Sequence, residues 1–257
     1  KILKDVEMKC NIHKYSRGIL GISSGSNKYP GAAILCSKAA YKTGSRYVSL
    51  CFSGDKEMEN NIKTQYPDIL LNDHILDADF ALFGPGYNYD TNFPDYIDEY
   101  KSIVCDATLL KSCSIGDFPQ NSILTPHVGE FFNLFNNLLT EILDLACFNK
   151  IQNLIKDRII ILKSFNTFII TKDMIYIMNK GPSLLATAGT GDVLSGILVS
   201  LLSQGYSRLE ASILGTYLHA EAANYYMNNI SKDGMTASDL IGCIPFAFKK
   251  LREESVN

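Results

Sequence analysis

Residues 186–196 read Ala-Thr-Ala-Gly-Thr-Gly-Asp-Val-Leu-Ser-Gly, which places two glycines and an acid directly ahead of an apolar helix. Glycine lets the backbone approach a phosphate closely, and free N–H groups at a helix start bind anions. Asp192 falls in that first turn, where a carboxylate also favours the helix dipole. Beside an anion site, however, an acid has no electrostatic reason to be present unless it handles a proton or a metal. We therefore interpret Gly189–Asp192 as the start of a functional phosphate-binding helix.

Upstream of this motif, short β-rich runs alternate with helical patterns, and several of the runs are apolar almost throughout, as is typical of strands covered on both faces. The predicted strands are residues 18–22, 47–52, 80–83, 102–105, 122–124, 159–162 and 167–171. The predicted helices are residues 31–43, 128–136, 148–157, 191–204, 208–227 and 237–251. This alternation predicts an α/β domain over residues 1–257, with a mostly parallel sheet and helices on both faces. Residues 174–178 follow a turn at Lys172-Asp173, which predicts a hairpin and hence a mixed sheet at one edge.

Composition excludes several classes of protein. The net charge is −3 and the 24 Lys and Arg residues form no basic block, which argues against an extended nucleic-acid surface. Seven cysteines are scattered without a CxxC pair, so we expect free thiols in a reducing cytosol. No apolar run is long enough to span a bilayer, and we expect a cytoplasmic protein without membrane contact. The first residue is Lys1 rather than Met, which allows the chain to be the carboxyl-terminal part of a longer protein.

The loops that follow the predicted strands collect glycine and polar residues. In open parallel sheets, ligands bind beyond the carboxyl ends of the strands. The loops in question hold Gly25-Ser26, Gly84–Gly86, Asp106, Thr125–His127 and Lys163. The sequence therefore predicts that one rim of the sheet carries the ligand site.

Further blocks share their order with one known family. They are Gly25-Ser26 with residues 29–33, Gly84–Gly86, residues 124–130, Lys163 with Thr167, residues 201–205, residues 217–220 and residues 237–240, together with His13-Lys14 near the start. With residues 189–196, they make the chain resemble the NAD(P)H-hydrate dehydratase family, which is related to carbohydrate kinases. The Thr-Pro-His-x-Gly-Glu block at 125–130 is the most discriminating piece, and the resemblance covers nearly the whole chain.

The resemblance implies a ribokinase-like three-layer fold and a repair reaction. Family members use ADP or ATP, assisted by Mg²⁺, to dehydrate the S form of NADHX or NADPHX to NADH or NADPH. They phosphorylate the hydroxyl of the hydrate and then expel phosphate. The resemblance further implies a homo-oligomer, commonly a tetramer, and fusion to or cooperation with an NAD(P)H-hydrate epimerase.

Carried over position by position, the resemblance assigns residues to each part of this site. Asp192 is the catalytic carboxylate, which removes the hydroxyl proton. The hydrated nicotinamide nucleotide is contacted by Ala32, Gly86, His127 and Asp192. The adenine nucleotide is contacted by Lys163, Ser164, Thr167, Gly189, Thr190 and Gly191. No residue is assigned as a metal ligand.

Some positions depart from the family pattern. Thr108 stands where the family usually has a second acid two residues after Asp106, Ser164 replaces a usual glycine, and Tyr87-Asn88 replaces Leu-Gly. These changes bear on Mg²⁺ handling and nucleotide affinity, whereas Asp106 and Asp192 are retained.

Other polar residues have mainly structural interpretations. Glu130 is expected to favour a helix start, and His219 to be packed within its helix. Ser238-Asp239 is expected to be a helix N-cap.

Two alternatives to a dehydratase stay open on the sequence. A kinase of a small hydroxylated substrate, of the hydroxymethylpyrimidine or hydroxyethylthiazole type, shares the fold and the anion site. A non-catalytic nucleotide sensor would keep the fold without turnover, because fold alone does not fix function. Release of phosphate together with NADH would distinguish the dehydratase from both.

Overall fold

The computed structural model describes residues 18–75, 77–87, 96–135 and 145–254, and the predicted family block His13-Lys14 lies outside these ranges. The described strands form one sheet. They are β1 (Leu20–Ser24), β2 (Val48–Phe52), β3 (Leu70–Leu71), β4 (Phe80–Phe83), β5 (Ser102–Cys105), β6 (Ser122–Leu124), β7 (Ile159–Leu162), β8 (Thr167–Ile170) and β9 (Ile175–Met178).

The sheet order is β3-β2-β1-β4-β5-β6-β7-β8-β9. Pairs from β3 through β7 are parallel, while β8 pairs antiparallel with both β7 and β9. The predicted hairpin and the mixed edge are therefore confirmed. Every residue of β5, β6 and β7 is buried, as expected for strands covered on both faces.

Helices cover the two faces. They are α1 (Pro30–Thr43), α2 (Lys56–Gln65), α3 (Thr108–Ser112), α4 (Val128–Leu134), α5 (Leu145–Ile155), α6 (Thr190–Ser203), α7 (Arg208–Asn229) and α8 (Ala237–Glu254). One apolar core joins α1, α6, α7 and α8 to the sheet, and a second lies between the sheet and α3, α4 and α5. This three-layer arrangement confirms the predicted fold class.

The predicted element boundaries needed small corrections, and some elements were not predicted. The helix predicted over residues 128–136 ends at Leu134, and Asn136 lies outside the described residues. Helix α2 was missed because it is largely polar and Ile62 is its only buried residue, which leaves its apolar face very short. Its start is nevertheless fixed locally, since the Asp55 side chain accepts a hydrogen bond from the Met58 amide.

The chain order reverses beside β1. From β1 the chain builds outward through β2 to β3 and then returns to add β4 on the opposite side of β1. The loops after β1 and β4 therefore diverge at a topological switch point, where open α/β sheets bind ligands. Among the described residues, we find no helix that is both long and apolar enough to cross a membrane.

Candidate active site

Glycines bring the loops at the switch point into contact. The Gly25 amide donates a hydrogen bond to the Pro85 carbonyl over 2.8 Å, and the Ser26 hydroxyl donates to the Gly86 carbonyl over 2.7 Å. Gly86 has a φ of +72°, and a Cβ atom there would stand 2.6 Å from Cβ of Ala32. A side chain at position 86 is therefore excluded by both conformation and space. The structure thus joins two of the residues predicted to contact the hydrated substrate, Ala32 and Gly86.

The predicted phosphate-binding motif forms the start of α6. Gly189 precedes the helix with a φ of 87°, a left-handed conformation that suits glycine. The intrahelical ladder starts with the Val193 amide, which donates to the Gly189 carbonyl over 3.2 Å. The amides of Gly191 and Asp192 stand ahead of that ladder, in the turn where a helix presents N–H groups to an anion.

Asp192 is the third residue of α6 and is largely withdrawn from water. Burial, reinforced by the negative charge of Asp106 and opposed by Lys163, raises the pKa of the Asp192 carboxyl to about 7. A carboxyl with such a pKa accepts a proton near neutral pH far more readily than an ordinary aspartate. The Asp192 backbone is also fixed, because its carbonyl accepts a hydrogen bond from the Cys36 thiol over 3.3 Å.

Lys163 lies at the carboxyl end of β7 and points toward the same turn. Its Nζ donates a hydrogen bond to Oδ1 of Asp106 over 3.0 Å, and its side chain is 26% exposed. A Cβ atom built on Gly191 would stand 3.3 Å from that Nζ. A cation and two helix amides therefore converge at one point of the rim, which suits a phosphoryl group.

His127 begins α4 and lies beside Lys163 through a parallel bridge between their backbones. Its Nδ1 accepts a hydrogen bond from the Glu130 amide over 3.2 Å, and Oε2 of Glu130 accepts one from the His127 amide over 3.1 Å. This reciprocal arrangement is a capping box, so the predicted helix-start role of Glu130 is confirmed. The His127 side chain is still 56% exposed, and its contact with substrate stays a prediction.

His219 contacts the backbone of the first residue of α6, next to the predicted anion site. The imidazole is buried in α7, and its Nε2 lies 2.8 Å from the carbonyl oxygen of Thr190. Burial lowers the pKa of His219 to about 4, so the ring is neutral and donates to that carbonyl at ordinary pH. The prediction of a packed histidine is confirmed, with the addition that the ring anchors the first residue of α6.

The remaining predicted residues are distributed as follows. Ser164 is exposed and Thr167 half-buried, at the two ends of the loop from β7 to β8, so their nucleotide contacts stay predictions.

The predicted N-cap at Ser238-Asp239 was wrong in its position. The cap is Thr236, whose hydroxyl accepts from the Asp239 amide over 3.2 Å, while the Asp239 carboxylate accepts from the Thr236 amide over 2.9 Å.

Sequence reasoning missed Ser195. Its hydroxyl donates to Oδ2 of Asp106 over 2.8 Å and lies 3.1 Å from the Gly191 carbonyl, so it connects α6 with the end of β5. A signal was present, because Ser195 stands four residues after Gly191 and therefore on the same helix face.

The residues of the rim do not form a metal site of their own. Across the described ranges, no group of three His, Cys, Asp or Glu side chains is placed to hold a metal ion. Mg²⁺ commonly keeps several waters and is bound through one or two carboxylates together with substrate phosphates.

Comparison with known proteins adds a family match. The model of the NAD(P)H-hydrate dehydratase family matches residues 20–245. The chain is 30% identical to the ADP-dependent (S)-NAD(P)H-hydrate dehydratase of Neisseria meningitidis, over 93% of this chain and 86% of that protein. It is 28% identical to the bifunctional NAD(P)H-hydrate repair enzyme of Dictyoglomus turgidum, over 98% of this chain. It spans only 55% of that relative, about half its length.

A solved structure supports the fold. A ribokinase-like superfamily protein from Enterococcus faecalis superposes with a TM-score of 0.81, over 94% of this chain and 90% of the other. The two sequences are 22% identical, so the likeness concerns the fold, which is ribokinase-like.

Proposed function

This chain belongs to the NAD(P)H-hydrate dehydratase family, and from that premise we propose that it dehydrates the S form of NADHX or NADPHX with ADP or ATP. The observation that carries the proposal is Asp192, a half-buried carboxyl with a pKa raised to about 7, at the start of a helix that faces Lys163. A base and an anion site next to each other suit transfer of a phosphoryl group to a hydroxyl.

In the proposed reaction, Asp192 takes the proton of the substrate hydroxyl as its oxygen bonds to the terminal phosphorus of the nucleotide. The bond from that phosphorus to the leaving nucleotide oxygen breaks, which releases AMP from ADP or ADP from ATP. The amides of Gly191 and Asp192 and the Lys163 ammonium stabilise negative charge on the transferred group. Mg²⁺ bound to the nucleotide phosphates would neutralise part of the same charge.

Phosphorylation converts a poor leaving group into a good one. The carbon–oxygen bond then breaks and phosphate departs with the bonding electrons. The neighbouring carbon loses a proton to solvent, and the electrons of that carbon–hydrogen bond form the ring double bond. The balance is one hydrate and one nucleotide converted to NADH or NADPH, phosphate and the shortened nucleotide.

We assign the two ligands to adjacent parts of the rim. The switch-point loops with Ala32, Gly86 and His127 receive the hydrated nicotinamide nucleotide. The end of β7 and the start of α6 receive the adenine nucleotide, through Lys163, Ser164, Thr167 and Gly189–Gly191. We further propose that the protein acts as a homo-oligomer and works with an epimerase that supplies the S form.

A coupled assay tests this proposal. The protein is incubated with NADHX and either ADP or ATP, and reduced-nicotinamide absorbance is followed together with free phosphate. We expect NADH and phosphate in equal amounts. A stable phosphorylated product would instead indicate a kinase, and binding of both ligands without product would indicate a sensor.

A further inference from the structure

Asp106 is a buried carboxylate at the end of β5, with 2% of its surface exposed. It accepts hydrogen bonds from Lys163 Nζ over 3.0 Å, from the Ser195 hydroxyl over 2.8 Å and from the Ala107 amide over 2.9 Å. A buried charge is costly unless it is paired and hydrogen-bonded, and these donors meet that requirement. Asp106 therefore connects the ends of β5 and β7 with the first turns of α6.

The backbone around Asp106 is held in an unfavourable conformation. Ala107 has a φ of 53° and a ψ of −115°, outside the regions that residues with a side chain normally occupy. Gly84 on the neighbouring loop packs so closely on the Asp106 carbonyl that a Cβ atom there would overlap it. Such strain is costly and persists only where the surroundings enforce it, most often at functional sites.

Asp106 also determines where Lys163 stands. The ion pair holds the ammonium beside Gly191 rather than in solvent, although lysine side chains are otherwise flexible. Ser195 keeps the opposite carboxylate oxygen turned toward α6. Lys163 is thus placed at the anion site before any nucleotide arrives.

We propose that Asp106 is a positioning residue, which fixes Lys163 at the start of α6 and, through its own negative charge, prepares Asp192 to take the proton of the substrate hydroxyl. The inference rests on the proposed dehydration, but the effect of the Asp106 charge on Asp192 can be measured without turnover. Asp106 itself transfers no proton and touches no reacting atom in this scheme.

The direction of the charge effect follows from the groups that face Asp192. Asp106 raises the pKa of Asp192 and Lys163 lowers it, while burial gives the largest increase. Cys36 faces Asp192 from α1 as a thiol, because burial raises its pKa well above the ordinary value. Two more titratable groups lie in the same region. Glu130 interacts with the charges of Asp106 and Lys163, and His219 interacts with the charge of Lys163. An Asp106→Asn substitution removes the negative charge and keeps the positive one, so the pKa of Asp192 falls.

Carboxyl ¹³C NMR of the full chain without ligands measures this effect directly. The Asp192 resonance is identified by its loss in the Asp192→Asn variant, and its titration midpoint is compared between wild type and Asp106→Asn. We expect a lower midpoint in Asp106→Asn. In the dehydration assay we expect kcat to fall roughly 10²-fold, as misplaced groups typically cost, and the acid limb of the pH profile to move to lower pH.

Ser200→Ala is the matched control for packing. Ser200 is a buried serine of α6, and its hydroxyl donates a hydrogen bond to the Ala40 carbonyl over 3.0 Å, away from Asp106. A general loss of stability would affect both variants, whereas the Asp192 midpoint should change only in Asp106→Asn. An unchanged midpoint with wild-type kcat in a folded Asp106→Asn protein would overturn the proposal.

Two further outcomes are distinguishable. A wild type that lacks dehydratase activity, with the midpoint still lowered in Asp106→Asn, refutes the proposed function and supports the role of Asp106. If Asp106→Asn does not fold, Ser195→Ala decides, because it keeps the charge and removes one hydrogen bond that orients it. We then expect kcat to fall at least about tenfold with little change in the KM for ADP, and wild-type kcat would overturn the proposal.

Discussion

The ammonium nitrogen of Lys163 lies 3.3 Å from the point that a Cβ atom on Gly191 would occupy. A methyl group there would intrude between the cation and the helix amides at the predicted phosphate position. We therefore expect Gly191→Ala to raise the KM for ADP or ATP about tenfold, equivalent to about 1.4 kcal/mol of binding free energy. Alanine is the better helix former, so thermal unfolding should show no loss of stability.

Gly242→Ala is the control for that variant. Gly242 lies within α8, and a Cβ atom there would meet nothing within 4 Å. This substitution should raise helix propensity as Gly191→Ala does, without changing the KM for NADHX or for the nucleotide. Unchanged nucleotide affinity in Gly191→Ala would remove this turn from the phosphate site.

Asp192→Asn should abolish most turnover while both ligands still bind. Asparagine preserves the size of the side chain but does not take up the hydroxyl proton, and loss of a positioned base typically lowers the rate about 10²–10⁴-fold. Asp239→Asn is a matched control, because Asp239 is likewise an acid in the first turn of a helix. That control should change stability by only about 0.3–1 kcal/mol and leave kcat intact. Near-wild-type turnover of Asp192→Asn would exclude the catalytic role.

The raised pKa of Asp192 also predicts how stability depends on pH. The folded protein keeps a proton on Asp192 up to about pH 7, whereas the unfolded chain releases it near the ordinary aspartate value of 3.8. The free energy of unfolding contributed by this group therefore falls as pH rises from about 4 to 7. At pH 8, Asp192→Asn should be more stable than wild type by up to about 4 kcal/mol, and the two proteins should be nearly equal at acid pH. Thermal melts of both proteins at pH 8 and at acid pH measure this stability difference. The same difference at both pH values would contradict the raised pKa of Asp192.

His127 has a structural and a predicted binding role, and two substitutions separate them. His127→Ala removes the cap of α4 and should cost about 1 kcal/mol of stability, whereas His127→Asn retains a good capping residue. If the ring contacts the hydrate, both variants should raise the KM for NADHX more than that for the nucleotide. Kinetics restored to wild type in His127→Asn would leave His127 only its capping role.

His219→Gln tests the support behind α6. The pKa of His219 is lowered to about 4, so the unfolded chain binds its proton more readily than the folded protein does. The stability contributed by the neutral ring is present above the ordinary histidine pKa of 6.5 and is lost as pH falls from there toward 4. Glutamine can donate to the Thr190 carbonyl without titrating, so the variant should lose less stability than wild type between pH 7 and 5. An identical pH dependence of the melting temperature would rule out His219 as its source.

The sequence was informative where burial leaves a continuous apolar run. The run at Ile159–Leu162 predicted β7 with its correct bounds, because both faces of that strand are covered. Helix α2 lacked any such signal, since its charged surface faces solvent and its start depends on the single cap at Asp55. A helix that buries a single residue has too few apolar positions to stand out from a polar loop in the sequence.

The candidate site was predictable in its parts but not in its connections. Glycine at a helix start, a lysine at a strand end and an acid beside them carry recognisable chemistry one residue at a time. The hydrogen bonds of Asp106 to Lys163 and Ser195 join residues 57 and 89 positions apart, and no local pattern encodes such distances. Only the order of the strands brings them together.

The bond from the Cys36 thiol to the Asp192 carbonyl spans 156 positions of the chain. Contacts of such long range form only after the entropy of closing a large loop has been overcome, which makes them late events in folding. The predicted phosphate-binding turn is therefore complete only once α6 has packed on α1. If the proposed nucleotide site is correct, nucleotide binds only the folded protein and by mass action stabilises it against unfolding and proteolysis.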